Sequence, residues 1–206
     1  MKVIAINGSP KKKGNTAAAI QVMTEELEKA GIETEVLDIG ALAIHGCLAC
    51  GHCMKEPGNL CIQKDDPVNE TIQKLSRADG FILGSPTYYA GVAGTMKSFL
   101  DRVFYAGSGM FRYKVATALA VVRRTGGQDT LQQLLHYLQL AEVVVPPSRY
   151  WMVAHGRAPG EVLQDEEGVA TLRQNARCLA WLIKMIKSSA VPLPEDFPRA
   201  WTHFIR

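Results

Sequence analysis

No stretch of the 206-residue chain is apolar for long enough to span a bilayer as a helix, which argues against a membrane protein. Charge of one sign is also lacking. Twenty-three Lys and Arg stand against 20 Asp and Glu, and a formal +3 is too small to mark a nucleic-acid binder. Two short basic runs, Lys11-Lys12-Lys13 and Arg123-Arg124, read either as solvated loops or as groups beside an anionic ligand. No charged leader precedes the first strand-like run, Lys2 to Ile6, so the expected location is cytoplasmic. Internal repeats and low-complexity segments are absent. Cysteine is scarce and odd in number: five residues, four of them clustered, fit reduced thiols better than a secreted disulfide scaffold. What is present has the balance of a soluble globular domain, 47% hydrophobic and 21% charged, with length enough for one sizeable core.

Apolar runs with strand character alternate with segments of helical period. Val3 to Ile6, Glu35 to Ile39, Phe81 to Leu83, Val115 to Val122 and a region from Val143 to Ala154 broken by Pro146-Pro147 predict five strands. Helical spacing marks residues 15–30, the face Met96, Phe99, Leu100, Val103 and Phe104, the face Leu131, Leu134, Leu135 and Leu138, and about 166–187. Asp66-Pro67 predicts a further helix start, with Asp66 as cap and Pro67 in the first turn. Such alternation implies a doubly wound parallel sheet of order 2-1-3-4-5 between two helical layers, with ligands at the carboxyl ends of the strands. Two stretches break the pattern. Residues 40–65 have no period and hold the clustered cysteines. The tail from 190 carries Pro192, Pro194, Pro198, Trp201 and Phe204 and cannot be a regular helix. The expected organisation is therefore one domain, 1–189, with a cysteine-rich loop 40–65 and a C-terminal extension 190–206.

After the first strand comes Asn7-Gly8-Ser9-Pro10-Lys11-Lys12-Lys13-Gly14-Asn15-Thr16. A turn from a strand into a helix aims backbone N–H groups and the helix dipole at one point, which favours a phosphate. Ser9, Asn15 and Thr16 add side-chain donors. The triphosphate loop G-x4-G-K-[ST] is excluded, because five residues separate Gly8 from Gly14 and Asn15 replaces the lysine. The dinucleotide fingerprint G-x-G-x-x-G is also missing. A hydroxyl-rich loop of this kind suits a terminal phosphate monoester; the plainer reading is a turn capped by Asn15.

The cysteines read C-L-A-C-G-H-C, with Cys47, Cys50 and Cys53 at C-x2-C-x2-C spacing and Cys61 following. That run can bring thiolates to one face of a tight loop around an inorganic centre, as in ferredoxin sites. Zinc more often takes two separated C-x2-C knuckles, and C-x2-C pairs also act as redox thiols. His45 and His52 flank the run and read as surface or supporting residues. Cys178, beside Leu179 and Leu182, reads as a core residue.

The segment G-S-P-K-K-K-G-N-T resembles the phosphate loop of flavodoxin-like FMN reductases, G-S-x-R-x-x-G-N-T. Gly84-Ser85-Pro86-Thr87-Tyr88-Tyr89-Ala90-Gly91 is similar to that family's S-P-x-Y loop, and Thr125-Gly126-Gly127-Gln128 falls where the family has a Gly-rich turn. Together with the cysteine run, these loops resemble the iron–sulfur flavoprotein branch over residues 1 to about 187. The resemblance implies a flavodoxin-like fold holding FMN. Ser9, Lys11, Gly14, Asn15 and Thr16 would take its phosphate, and Ser85, Pro86, Thr87, Tyr88, Tyr89 and Gly91 would meet the ring edge and face. Thr125, Gly126 and Gly127 would let backbone approach the pyrimidine side, since glycine has no Cβ. Arg123 and Arg124 could stabilise reduced flavin or attract a nicotinamide dinucleotide. The resemblance also implies a [4Fe-4S] cluster on Cys47, Cys50, Cys53 and Cys61, the last after a spacing of seven residues.

The expected function is an FMN-dependent oxidoreductase passing electrons between a one-electron or NAD(P)H donor and a small acceptor, with no catalytic nucleophile because the cofactor does the chemistry. Small-molecule or ferredoxin-like redox partners and a homodimer or homotetramer are implied. A cluster-free NAD(P)H-dependent FMN or quinone reductase is the alternative. A non-enzymatic thiol or metal module and a simple flavodoxin carrier are further readings, the carrier disfavoured by the +3 charge.

Overall fold

A computed structural model describes residues 1–55, 58, 60–198, 200 and 202. The parallel sheet takes the expected order. Strand β1 (Lys2–Asn7) lies between β2 (Glu33–Asp38) and β3 (Gly80–Tyr88); β5 (Val115–Val122) follows β3, and β6 (Val153–His155) forms the far edge. The intervening β4 (Gly91–Val92) is the sixth strand. It pairs antiparallel with the end of β3 rather than joining the parallel path. Helices α1 (Asn15–Lys29), α2 (Val68–Arg77), α3 (Gly94–Phe111), α4 (Gly127–Leu140) and α5 (Glu166–Ser188) complete the alternation.

The central strands read as unbroken apolar runs because both their faces are covered. All eight residues of β5, Val115 to Val122, are buried, as are Val3 to Ile6 of β1. The helices meet them with their apolar stripes: Ile20, Met23 and Leu27 on α1 and Leu131, Leu134 and Leu138 on α4 are all at most 2% exposed. Burying one such side chain contributes roughly 1.5–3 kcal/mol. Phe81, Phe104 and Phe111 close the layer beneath α3 with edge-to-face rings, centroids 5.5–6.2 Å apart.

Several elements depart from expectation. The fifth strand region is split: Val144 makes a single parallel bridge to Val115, and pairing resumes only at Val153. Pro146 and Pro147 supply no N–H for a ladder between them. Their carbonyls instead accept from the Nδ2 of buried Asn175 on α5, both at 3.2 Å. Helix α2 begins at Val68, with Pro67 at the cap position, one residue later than the sequence suggests. Cys178 is half-buried rather than in the core, and its thiol accepts from Gln174 Nε2 at 3.6 Å. Residues 40–65 contain only a short 3₁₀ turn, His52–Met54, among their described residues. The described tail residues form no helix, and Asp196 pairs with Arg112 at 2.6 Å. Trp201 and Phe204 lie outside the described residues.

Candidate functional site

Strands β1, β3 and β5 are neighbours in register, Asn7 beside Gly84 and Pro86 beside Val121, so the segments that follow them emerge at one end of the sheet. Their contacts are direct. Gly8 N–H donates to Gly84 O at 2.8 Å. Gly126 stands against Ala90 and Thr87: a Cβ there would come within 3.0 Å of Ala90 Cα and 3.5 Å of Thr87 Cγ2. Gly126 also has φ +84, so both space and backbone require glycine.

The first loop is held from within. Asn7 Nδ2 donates to Asp38 Oδ1 at 2.8 Å, while Asn7 Oδ1 accepts from Ser9 N at 3.1 Å. Ser9 is buried, and its Oγ accepts from Lys11 N at 3.2 Å. Gly14 is the cap of α1 and makes no side-chain bond, so the first-turn N–H groups of Asn15, Thr16 and Ala17 have no intrahelical acceptor. Thr16 is buried beside them, whereas Lys11, Lys12 and Lys13 are exposed. Asn15 is not the cap of α1, which is Gly14, and its side chain is bonded to a distant segment. Its Nδ2 donates to Ala158 O at 2.9 Å, and its Oδ1 accepts from Val162 N at 3.3 Å, tying α1 to the segment after β6.

The second segment is a hairpin, not a loop. Ser85, Pro86, Thr87 and Tyr88 continue β3, and Tyr88 pairs with Gly91 across Tyr89-Ala90. Fully buried Ser85 spends its hydroxyl within the hairpin, accepting from Ala93 N at 3.1 Å and donating to Pro86 O at 2.8 Å. Pro86 and Thr87 are half-buried, and Thr87 Oγ1 is a buried oxygen with no hydrogen-bond partner among the described residues. Tyr88 is exposed, and Tyr89 projects wholly into solvent from the turn. Tyr89 and Ala90 have φ of +49 and +56, the left-handed region that two-residue hairpins demand and that Asn-Gly satisfies best. Each costs on the order of 1 kcal/mol there. Tyr89-Ala90→Asn-Gly is therefore expected to raise unfolding stability by about 1 kcal/mol in urea titration; an unchanged or lower midpoint would refute the strain.

The third segment, Thr125 to Gly127, borders a cavity of about 350 Å³ that Arg124, Gln128, Trp151 and His155 also line. The first two segments do not line it. Gln128 Oε1 is a second buried oxygen without a partner among the described residues. On the far wall, Asp165 accepts from Gly168 N at 2.9 Å and from His155 N at 2.7 Å. Burial pushes the Asp165 carboxyl up, but those N–H groups hold it below the usual range. Arg123 and Arg124 are exposed.

The cysteines form a separate centre. Cys47, Cys50, Cys53 and Cys61 all border one small pocket with about 20 Å³ of room, beneath α3. Among the described residues, no three His, Cys, Asp or Glu side chains are spaced to hold a metal ion. Ala49 and Gly51, between the first three cysteines, have φ of +51 and +66. Left-handed residues in a tight loop turn successive N–H groups inward, and Ala49 N donates to Cys47 Sγ at 3.4 Å. Burial pushes the Cys53 thiol up, with the neighbouring thiols adding to it. His45 and His52 are exposed and do not border the pocket.

Arg102 was not singled out in the sequence. It sits on the buried face of α3 and is 1% exposed. Its Nε donates to Cys61 Sγ at 3.3 Å, its Nη1 to His45 O at 3.1 Å and its Nη2 to Gln63 O at 3.1 Å. Both Nη atoms also reach the Asp66 carboxylate, which in turn accepts from Val68 N at 3.2 Å. Burial opposes the charge on Arg102, but the bonds to Asp66 and Cys61 outweigh it and hold the guanidinium more firmly protonated than usual. The available signal was a charged residue three positions after Phe99 on an otherwise apolar stripe.

Comparison with known proteins bears on the family and the fold. Residues 1–158 match the family model described as NADPH-dependent FMN reductase. An iron–sulfur flavoprotein from Methanocaldococcus jannaschii is 36% identical over 195 residues, spanning 91% of this chain and 100% of that protein. Among solved structures, RosB with a bound 8-demethyl-8-formylriboflavin-5'-phosphate intermediate superposes with TM-score 0.71 at 15% identity, covering 100% of this chain and 92% of that one. A flavodoxin from the domain Archaea superposes with TM-score 0.59 at 14% identity, covering 89% and 99%. At those identities the structural likeness shows a shared flavodoxin-like fold.

Proposed function

Starting from a chain that belongs to the NADPH-dependent FMN reductase family, and so from a flavin-dependent oxidoreductase, we propose that it pairs FMN with a [4Fe-4S] cluster held by Cys47, Cys50, Cys53 and Cys61. The observation that carries this is the meeting of all four thiols at one pocket. The donor set fits the group. Four thiolates are the usual ligands of such a cluster, and an inward N–H and a buried cation face the sulfurs. The tandem C-x2-C-x2-C run speaks against zinc, which more often takes two separated C-x2-C knuckles; a cluster spreads its four thiolates over four irons. Among the described residues of 47–61, the one regular element is the short 3₁₀ turn His52–Met54, so no long helix or strand there opposes a rearrangement of the thiols.

The FMN residues fit as well. Unpaired N–H groups at the start of α1 suit a phosphate. Thr87 Oγ1, at the contact of the second and third segments, and Gln128 Oε1, beside the cavity that the third segment borders, have no partner among the described residues, and a flavin ring edge offers hydrogen-bonding groups. Bound FMN supplies both two-electron and one-electron chemistry, and a cluster supplies one-electron transfer. The chain's own part is to bind, orient and exclude water. NAD(P)H or a ferredoxin-like protein as donor, a small molecule as acceptor, and a homodimer or homotetramer belong to the same proposal. The cluster-free FMN or quinone reductase is favoured by one observation, a family model over residues 1–158 whose description names FMN and NADPH and no cluster.

Anaerobic purification with assay of iron, acid-labile sulfide, zinc and flavin per chain separates the two readings. About four iron, four sulfide and one FMN are expected. FMN with neither iron nor sulfide, even after reconstitution, would leave the cluster-free reductase.

A further inference from the structure

We infer that Arg102 is a positioning residue for the cysteine centre: it fixes Cys61 as the fourth ligand and raises the reduction potential of the cluster. The inference rests on the cluster reading above. Cys61 stands apart from the C-x2-C-x2-C run, separated from Cys53 by seven residues, so local loop geometry alone does not set it. The structure fixes it from two sides. Cys61 N donates to Asn69 Oδ1 at 2.7 Å and Cys61 O accepts from Asn69 Nδ2 at 2.9 Å, both on α2. From α3, Arg102 Nε points at the sulfur, 3.3 Å away.

The orientation of the guanidinium gives the electrostatic effect its sign. Asp66 takes the edge formed by the two Nη atoms, and the backbone carbonyls of His45 and Gln63 take further Nη hydrogens. That leaves Nε for sulfur. The ion pair therefore presents its positive end to Cys61 and its negative end away from it. Adding one electron to a cluster adds one negative charge, and a nearby positive end stabilises that state more than the oxidised one. Hydrogen bonds to cluster sulfurs and local charge are established levers on cluster potential. The field is little screened, since Arg102 and Asp66 have side chains 0% and 8% exposed.

The test uses the full chain, reconstituted anaerobically with FMN, iron and sulfide, and reads the cluster's midpoint potential by redox titration followed by electron paramagnetic resonance. Arg102→Gln combined with Asp66→Asn removes both charges without stranding either. It is expected to shift the potential negative. Asp66→Asn alone, which leaves the cation unneutralised, is expected to shift it positive. Arg102→Lys is expected to recover part of the negative shift. A charge-free variant that retains FMN and its circular dichroism but binds less than four iron would support the placing of Cys61. Wild-type potential and wild-type iron content in all three variants would overturn the inference while leaving the cluster reading intact. A wild-type chain that takes up no iron or sulfide would overturn both, and the assay of iron and sulfide identifies that case before any potential is read.

Discussion

Gly40→Ala is expected to weaken FMN binding by roughly ten- to a hundredfold, from overpacking of about 1–3 kcal/mol. Gly40 lies just past β2, pressed against the turn that follows β1. A Cβ on it would stand 2.2 Å from Ser9 C and 2.4 Å from both Gly8 O and Ser9 O. These are main-chain atoms and cannot rotate away as a side-chain tip would. The turn has little slack: on its other flank Gly8 N is bonded to Gly84 O, and on the Gly40 side Ile39 N is bonded to Asn7 O at 3.0 Å. The added methyl must therefore displace the backbone that, in the proposed reading, presents N–H groups to the phosphate. Fluorescence titration of apoprotein with FMN measures the effect, and a dissociation constant within twofold of wild type would show that the turn yields without cost.

Arg102→Met is expected to destabilise the FMN-loaded chain by about 3–5 kcal/mol, because it leaves the Asp66 carboxylate buried and unpaired. Asp66 is 8% exposed on its side chain, so water does not replace the lost partner. The Arg102→Met/Asp66→Asn double variant is expected to recover most of that loss, since the amide that replaces the carboxylate carries no charge and can still accept from Val68 N. Urea unfolding of the three proteins gives the coupling directly. Equal midpoints for the two variants would mean that the stranded charge is not the source of the loss.

What the sequence made legible follows from the range of the interactions involved. The turns after β1, β3 and β5 are local signals, with Gly, Ser, Pro and Asn placed by the chain's own direction, and they do gather at one end of the sheet. The β3–β4 hairpin was hidden because Tyr89-Ala90 lacks the Asn-Gly signature of its turn. Hydrogen bonds hold the hairpin despite the disfavoured backbone there, Ala93 N on Ser85 Oγ within it and Val92 N on Gln133 Oε1 from α4. The break between Val145 and Val153 was marked by its prolines, but the use of their carbonyls depended on Asn175, some 28 residues on. Asn15 reads as a phosphate donor, with a cap as the plainer alternative, and Asp66 as a cap, because both readings are local. Their strongest partners, Ala158 with Val162 and Arg102, come from distant segments that no spacing rule connects.

The Asn15 contact has a consequence for the order of events during synthesis. The side chain at the head of α1 is satisfied only by backbone lying 143 and 147 residues downstream. A ribosome adding roughly 5–20 residues per second emits those partners about 7–30 s after Asn15 itself. Until then the phosphate turn exists without the brace that fixes its helix, and the nascent chain passes through a period in which the cysteine loop is already outside the tunnel while the flavin pocket is unfinished. The brace on the head of α1 is thereby ordered in time by chain position: it waits for the segment after β6.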